Sequence, residues 1–183
     1  MIRFFDIIFS LLGLILLFPI ILVLIVLGFF DSGHPIFSQK RVGKSKVPFF
    51  LYKFRSMKLY TVSVATHLSS KDSITKYGSF LRRSKLDELP QLLNVLKGDM
   101  SLVGPRPNLY NQDDLIKERD LRMVYEVRPG ITGLAQIKKI DMSTPKLLAE
   151  IDEKMIIDLN IFKYFFYIFL TLLGKGSGDR ITN

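Results

Sequence analysis

Residues 85–107 read KLDELPQLLNVLKGDMSLVGPRP. The stretch sets an acidic pair, Asp87 and Glu88, at a helix start and a Gly-Pro-Arg-Pro turn shortly after the helix ends. With Ser84 as N-cap, Pro90 would fall in the helix interior at a cost of about 3 kcal/mol. With Asp87 as N-cap it falls in the first turn, where its missing N–H does no harm. Asp87 is therefore the expected cap. Leu89, Leu92, Leu93 and Leu96 then repeat at helical spacing and are expected to pack inward, and Gly98 after Lys97 supplies the stop. The free N–H groups and dipole at the start of such a helix favour an ionised carboxylate or a phosphate. An aspartate in this place also serves as a plain cap, so local sequence leaves a structural and a catalytic role both open.

Residues 7–30 are 24 in number, carry no charge, and are bounded by Asp6 and Asp31. As a helix they would measure about 36 Å, against a hydrocarbon core of about 30 Å. The run is too long for the apolar core of a cleavable signal, and Asp-Ser-Gly-His-Pro follows it in place of a small-residue cleavage site. A retained membrane anchor is expected. Pro19, in mid-run, removes a backbone hydrogen bond and predicts a kink or break, so the segment either crosses or turns back. Residues 32–71 hold eight Lys or Arg and no acid, which sets that flank on the cytoplasmic side by the positive-inside tendency.

The formal net charge of +9 would also suit a nucleic-acid binder. Here the basic excess directly follows the apolar segment, where anionic lipid attracts it, and no nucleic acid is expected as a partner. Cysteine is absent, which excludes disulfides and thiolate chemistry. His34 and His67 lack metal-ligand spacing and read as surface residues.

The remaining length suits one compact domain. Residues 47–57 (VPFFLYKFRSM) predict a short strand or two bearing Lys53 and Arg55, and residues 61–75 predict a Ser/Thr-rich surface loop. A short helix over 74–83 would bring Arg82 and Arg83 to the acidic pair. Residues 111–126 predict a polar amphipathic helix with Leu115, Arg119 and Arg122 among its repeating positions, and residues 127–136 predict a loop and then a strand. Residues 156–173 are apolar and aromatic but include Asp158, Asn160 and Lys163, which suits a helix lying at the membrane interface or a core helix better than a second crossing.

Taken in order behind an N-terminal apolar segment, LYKFRSM, LRRSKLDELPQLLNVLKGDMSLVGPRP and YEVRPGITGLAQ resemble the bacterial sugar transferases, the monotopic phosphoglycosyl transferases of the small, PglC-like kind. The resemblance covers nearly the whole chain. It implies an α/β, mostly α, membrane-associated single domain with a re-entrant helix in residues 1–31, a catalytic domain in 32–173 with interfacial helices and a small strand element, and a disordered tail in 174–183. It implies an enzyme on the cytoplasmic face of the bacterial inner membrane, in contact with its lipid. The reaction would move a sugar 1-phosphate from a UDP-sugar to polyprenyl (undecaprenyl) phosphate, releasing UMP, through a phosphosugar on an aspartate and with Mg²⁺ present. Carried over, Asp87 is the nucleophile and metal ligand and Glu88 its partner, while Lys53, Arg82, Arg106, Arg128, Gln136 and Asp152 are substrate-binding positions. A homodimer is left open, as is the sugar: an N-acetylated hexosamine with or without its 6-hydroxyl, galactose, or glucose. A non-catalytic membrane scaffold and a Mg²⁺-dependent UDP-sugar hydrolase are the competing readings. Two departures stand out: Phe18 precedes Pro19 where relatives often have serine, and residues 137–140 read IKKI where many continue Asn-Gly-Arg.

Overall fold

The computed structural model describes residues 1–59 and 73–176. Most of the expected surface loop, with His67, and of the C-terminal tail lie outside the described residues. Helices dominate. In chain order they are α1 (Ile2–Ser32), α2 (Lys76–Ser84), α3 (Gln91–Lys97), α4 (Asp113–Leu121), α5 (Leu134–Ile137), α6 (Pro145–Asp158) and α7 (Ile161–Leu172). Strands β1 (Ile36–Val42) and β2 (Pro48–Phe54) form an antiparallel hairpin, Ile36 opposite Phe54 and Val42 opposite Pro48. Strands β3 (Ser101–Val103) and β4 (Gly130–Thr132) pair in parallel.

The two short parallel strands meet at glycines. A Cβ on Gly130 would lie 2.0 Å from the Gly104 nitrogen, so the backbones touch where side chains would hold them apart. This contact brings residues 105–108 across the front of β1. The core is small and divided: Phe49, Leu51, Val95 and Met100 join the hairpin to α3, and Leu24, Phe54 and Leu81 join α1 to the hairpin and α2. Leu81 is wholly buried, and its truncation to Ala would cost about 2–5 kcal/mol.

Helix α1 exposes most of its apolar residues and buries two polar ones near its start. Asp6 and Ser10 are buried, while Leu16, Phe18, Val23 and Phe30 lie open. A core helix of a water-soluble domain has the opposite pattern, and an apolar surface of this extent calls for lipid or another apolar partner. Next to it, α7 turns Tyr164 and Tyr167 inward and leaves Phe162, Phe166, Phe169 and Leu172 exposed. Phe5 and Phe9 of α1 meet Phe165 edge-on, so the two helices share one apolar face.

Both ends of α1 are tied to the same body. Near its start, Asp6 Oδ1 accepts from Ser101 Oγ (3.0 Å), the Leu102 amide (2.9 Å) and the Tyr164 hydroxyl (2.8 Å). Burial, with Asp6 alongside, pushes the Tyr164 hydroxyl far above its ordinary range, so it stays a donor. Arg3 donates to the Val95 and Leu96 carbonyls at the end of α3. Near its finish, the Tyr77 hydroxyl donates to the Leu24 carbonyl (2.7 Å) and Thr75 to Asp31 (2.8 Å). The helix runs unbroken through Pro19, so that of the expected kink or break the break does not occur. Neighbouring turns on either side of the proline continue the ladder, as lone prolines in long apolar helices allow.

Other expectations also change. α3 starts at Gln91, with Asp87 and Glu88 in a tight 3₁₀ turn (Leu86–Glu88) before it, so Asp87 does not cap α3. Pro90 lacks the N–H that would bond the Leu86 carbonyl, which takes the Leu89 amide instead and keeps the turn tight. α3 buries Gln91, Asn94 and Val95, leaves Leu93 exposed, and sets Leu92 against Gly13 of α1. The leucine stripe therefore does not mark the core face. Gly98 ends the helix in the left-handed conformation, as expected. The polar helix is shorter than its sequence period suggests, at Asp113–Leu121, and the sequence reading does not separate α6 from α7.

The bonds that hold both ends of α1 on one body predict that, at a membrane, the two ends face the same side. A cysteine added ahead of Met1 and His34→Cys should both react with an impermeant maleimide in vesicles of one orientation. Neither should react in the opposite orientation, and labelling of the two from opposite sides would show a full crossing.

Candidate active site

Three separate segments converge on Glu88. Its Oε1 lies 3.2 Å from Lys53 Nζ of β2 and 3.5 Å from Arg106 Nη2 of the Gly-Pro-Arg-Pro turn. All three side chains are largely buried. Charges held this far from water are stable only with partners close by. Asp87, the preceding residue, is 3% exposed. The two carboxylates share one turn because Lys85 bends the chain, with φ 58° and ψ 15°, a left-handed conformation that costs a non-glycine residue about 1–2 kcal/mol.

Each member of this cluster is braced from behind. Asn94 of α3 accepts from the Tyr52 amide (3.0 Å) and donates to the Phe50 carbonyl (2.7 Å), which locks α3 against the strand bearing Lys53. In the turn, the carbonyls of Pro105, Arg106, Pro107 and Asn108 accept from Gly130 N, Arg119 Nη1, Arg41 Nη1 and Val42 N at 2.8, 2.8, 3.2 and 3.0 Å. Two prolines limit φ on either side of Arg106. The guanidinium is thus presented by a backbone with little freedom to lose on binding an anion.

Of the other sequence-selected residues, Arg128, Gln136 and Asp152 occupy different settings. Arg82, at the end of α2, donates from Nε to Ser56 Oγ (2.8 Å). Arg128 donates to the Gly98 carbonyl (2.8 Å) and lines, with Arg3, Lys44 and Pro105, a cleft of about 290 Å³. Gln136 is buried, with Nε2 on the Ile131 carbonyl (3.4 Å) and Oε1 without a partner. Asp152 has no exposed surface, and its Oδ2 accepts from Arg119 Nη2 (2.6 Å) and Nε (3.0 Å). Burial pushes the Asp152 carboxyl above its ordinary value, against the pull of Arg119. A contact between Asp152 and substrate has no open surface to use.

Arg119 was not among the candidate site residues. The signal is present in the sequence: Arg119 follows Leu115 by one helical turn, and Asp152 sits in the stripe Leu148, Asp152, Met155, so each apolar face bears one charge of opposite sign.

Asp87 and Glu88 are hard oxygen donors suited to Mg²⁺. Among the described residues no group of three or more His, Cys, Asp or Glu gathers. A magnesium ion here would hold one or two carboxylates and take its other ligands from substrate phosphate and water, the usual arrangement for this ion. The residues fit that kind of site.

Residues 1–174 match the model of the family described as bacterial sugar transferase. The chain belongs to the bacterial sugar transferase family. It is 46% identical over 136 residues to a Bacillus subtilis protein named uncharacterized sugar transferase EpsL, covering 74% of this chain and 67% of that protein. A second Bacillus subtilis relative, provisionally named undecaprenyl-phosphate N-acetylgalactosaminyl 1-phosphate transferase, is 47% identical over 108 residues, 57% of this chain and 60% of the relative. A UDP-glucose:undecaprenyl-phosphate glucose-1-phosphate transferase of Xanthomonas campestris is 41% identical over 152 residues, 78% of this chain and 31% of the relative. The chain thus spans about a third to two thirds of the length of these family members.

The cluster's weight in folding can be compared with a surface pair. Glu88→Ala, which removes the carboxylate that Lys53 and Arg106 share, should cost about 3 kcal/mol and lower the thermal midpoint by roughly 6–12 °C. Lys46→Ala, which breaks a half-exposed pair with Asp120, should cost under about 1 kcal/mol. Equal shifts for the two variants in detergent-solubilised protein would show that burial adds nothing at Glu88.

Proposed function

We propose that this chain transfers a sugar 1-phosphate from a UDP-sugar to undecaprenyl phosphate, yielding undecaprenyl diphosphate sugar and UMP. The observation that carries this reading is the buried Asp87 in one tight turn with Glu88, whose carboxylate holds Lys53 and Arg106 at the same site. The family relatives named for transfer to undecaprenyl phosphate support it. Because those names include both glucose and N-acetylgalactosamine, the sugar is best found with a panel of UDP-sugars.

In the proposed mechanism an Asp87 carboxylate oxygen attacks the β-phosphorus of the UDP-sugar. An O–P bond to Asp87 forms, the bond to the bridging oxygen breaks, and UMP leaves with the electron pair. A phosphate oxygen of undecaprenyl phosphate then attacks the same phosphorus and expels the Asp87 carboxylate. Splitting the transfer keeps the two bulky anions from having to occupy the site together. Mg²⁺ held at Asp87 would supply neutralising charge to the diphosphate. Arg106 and Lys53 supply fixed positive charge to the transferring group, and Glu88 keeps both cations in place when substrate is absent. Helix α1, with both ends tied to the body, acts as an anchor on the cytoplasmic face of the inner membrane, bringing the site to the depth of a lipid phosphate.

Given a UDP-sugar and Mg²⁺ but no lipid acceptor, the protein should release about one equivalent of UMP quickly and gain the mass of a sugar phosphate on Asp87. Asp87→Asn should fold and form no adduct. Mapping of the adduct to Glu88, or normal turnover by Asp87→Asn, would overturn the assignment. A non-catalytic scaffold would release no UMP, and a hydrolase would release free sugar phosphate. Arg106→Ala should lower turnover tenfold or more with little change in the thermal midpoint, and wild-type turnover would remove Arg106 from the chemistry.

A further inference from the structure

Arg119 of α4 and Asp152 of α6 lie 1% and 0% exposed, beside the apolar cluster of Leu115, Ala135 and Leu148. An ion pair in such a setting is a poor source of stability. Well-packed apolar residues in its place are often as stable or more so, because the charges give up their water on folding. Something beyond the pair itself therefore calls for a guanidinium here.

The geometry shows what that is. Nε and Nη2 of Arg119 are held by Asp152, which leaves Nη1 aimed at the turn that presents Arg106. There it donates to the Arg106 carbonyl at 2.8 Å and to Asn108 Oδ1 at 2.9 Å. Asn108, wholly buried, also accepts from the Tyr125 hydroxyl (3.1 Å) and donates to the Leu109 carbonyl (2.9 Å). A planar fork of five donors can serve two sides at once in this way. A lysine ammonium cannot hold the same arrangement.

We propose that Arg119 and Asp152 are a positioning pair for the transfer reaction: Asp152 orients Arg119, and Arg119 fixes the backbone of Arg106 so that its guanidinium stays at Glu88. Neither residue touches substrate. The proposal deepens the reading of Arg106 as a phosphate-binding group and rests on it.

The test replaces the pair by apolar residues, Arg119→Met with Asp152→Leu. Expected are a thermal midpoint at or above that of wild type, a kcat at least tenfold lower, and a KM for the UDP-sugar within about threefold. In an Arg106→Ala background the same replacement should lower kcat less than twofold further, because the group being positioned is gone. Full activity in the folded apolar variant, or equal losses in both backgrounds, would overturn the proposal. Arg119→Lys keeps the charge opposite Asp152 and is the second variant, with the same pattern expected. If neither variant folds, the pair is structural and the proposal fails. Amide exchange gives a readout that needs no substrate: residues 106–110 should exchange at least tenfold faster in either variant while α2 and α3 are unchanged. Unchanged exchange at 106–110 overturns the positioning claim. Faster exchange in a protein whose wild type releases no UMP would instead sink the functional reading and leave the positioning intact.

Discussion

The carboxylate of Glu88, shared by Lys53 and Arg106, is the interaction on which the arrangement of this domain turns. Its three members lie in a hairpin strand, a 3₁₀ turn and a proline-bounded loop, and they meet largely out of water. The rest of the fold can be understood as the means of bringing them together. Asn94 holds the acidic turn to the strand, the Gly104 and Gly130 contact throws the loop across the hairpin, and Arg119 and Arg41 hold that loop from behind. Such a cluster does little for stability beyond what an apolar core would do, so its presence points to work on an anionic ligand.

The long apolar helix α1 belongs to the same arrangement. Asp6 gathers a strand, the amide after it and a tyrosine from the last helix, and Arg3 takes the carbonyls at the end of α3. Arg3 and Asp6 therefore act as ordinary core polar groups, satisfied by the body they join. Its apolar residues face outward beside the exposed phenylalanines of α7. The acidic turn and the exposed apolar face of α1 are joined through α3, which follows the one and packs on the other.

Features set by local chemistry could be read from the chain alone. Gly98 as a helix stop, the Pro-Arg-Pro turn, a strand around Lys53 and a long apolar first helix each depend on a few neighbouring residues. Features set by distant partners could not. Leu93 has the spacing of a core residue but lies outside, because α3 buries Asn94 for its bonds to β2 and gives its leucine side to α1. The tight turn at Asp87 depends on a left-handed Lys85 that no residue type announces. The resemblance gives Asp152 as a substrate-binding position, and only the approach of α4 to α6 reveals Arg119 as its partner. Family resemblance named Lys53, Glu88 and Arg106, which the structure brings together, whereas the bracing of these groups by Asn94 and Arg119 came from packing.

The central claim is that the sugar phosphate rests on the protein between donor and acceptor, and isotope exchange addresses it directly. Wild-type protein would be incubated with Mg²⁺, labelled UMP and a UDP-sugar that supports transfer, without undecaprenyl phosphate. A two-step mechanism requires UMP to attack the phosphosugar enzyme in reverse, so label should pass into the UDP-sugar pool, and Asp87→Asn should abolish that passage. Absence of exchange in wild-type protein that transfers normally once lipid is added would contradict the account and require direct transfer between the two bound substrates.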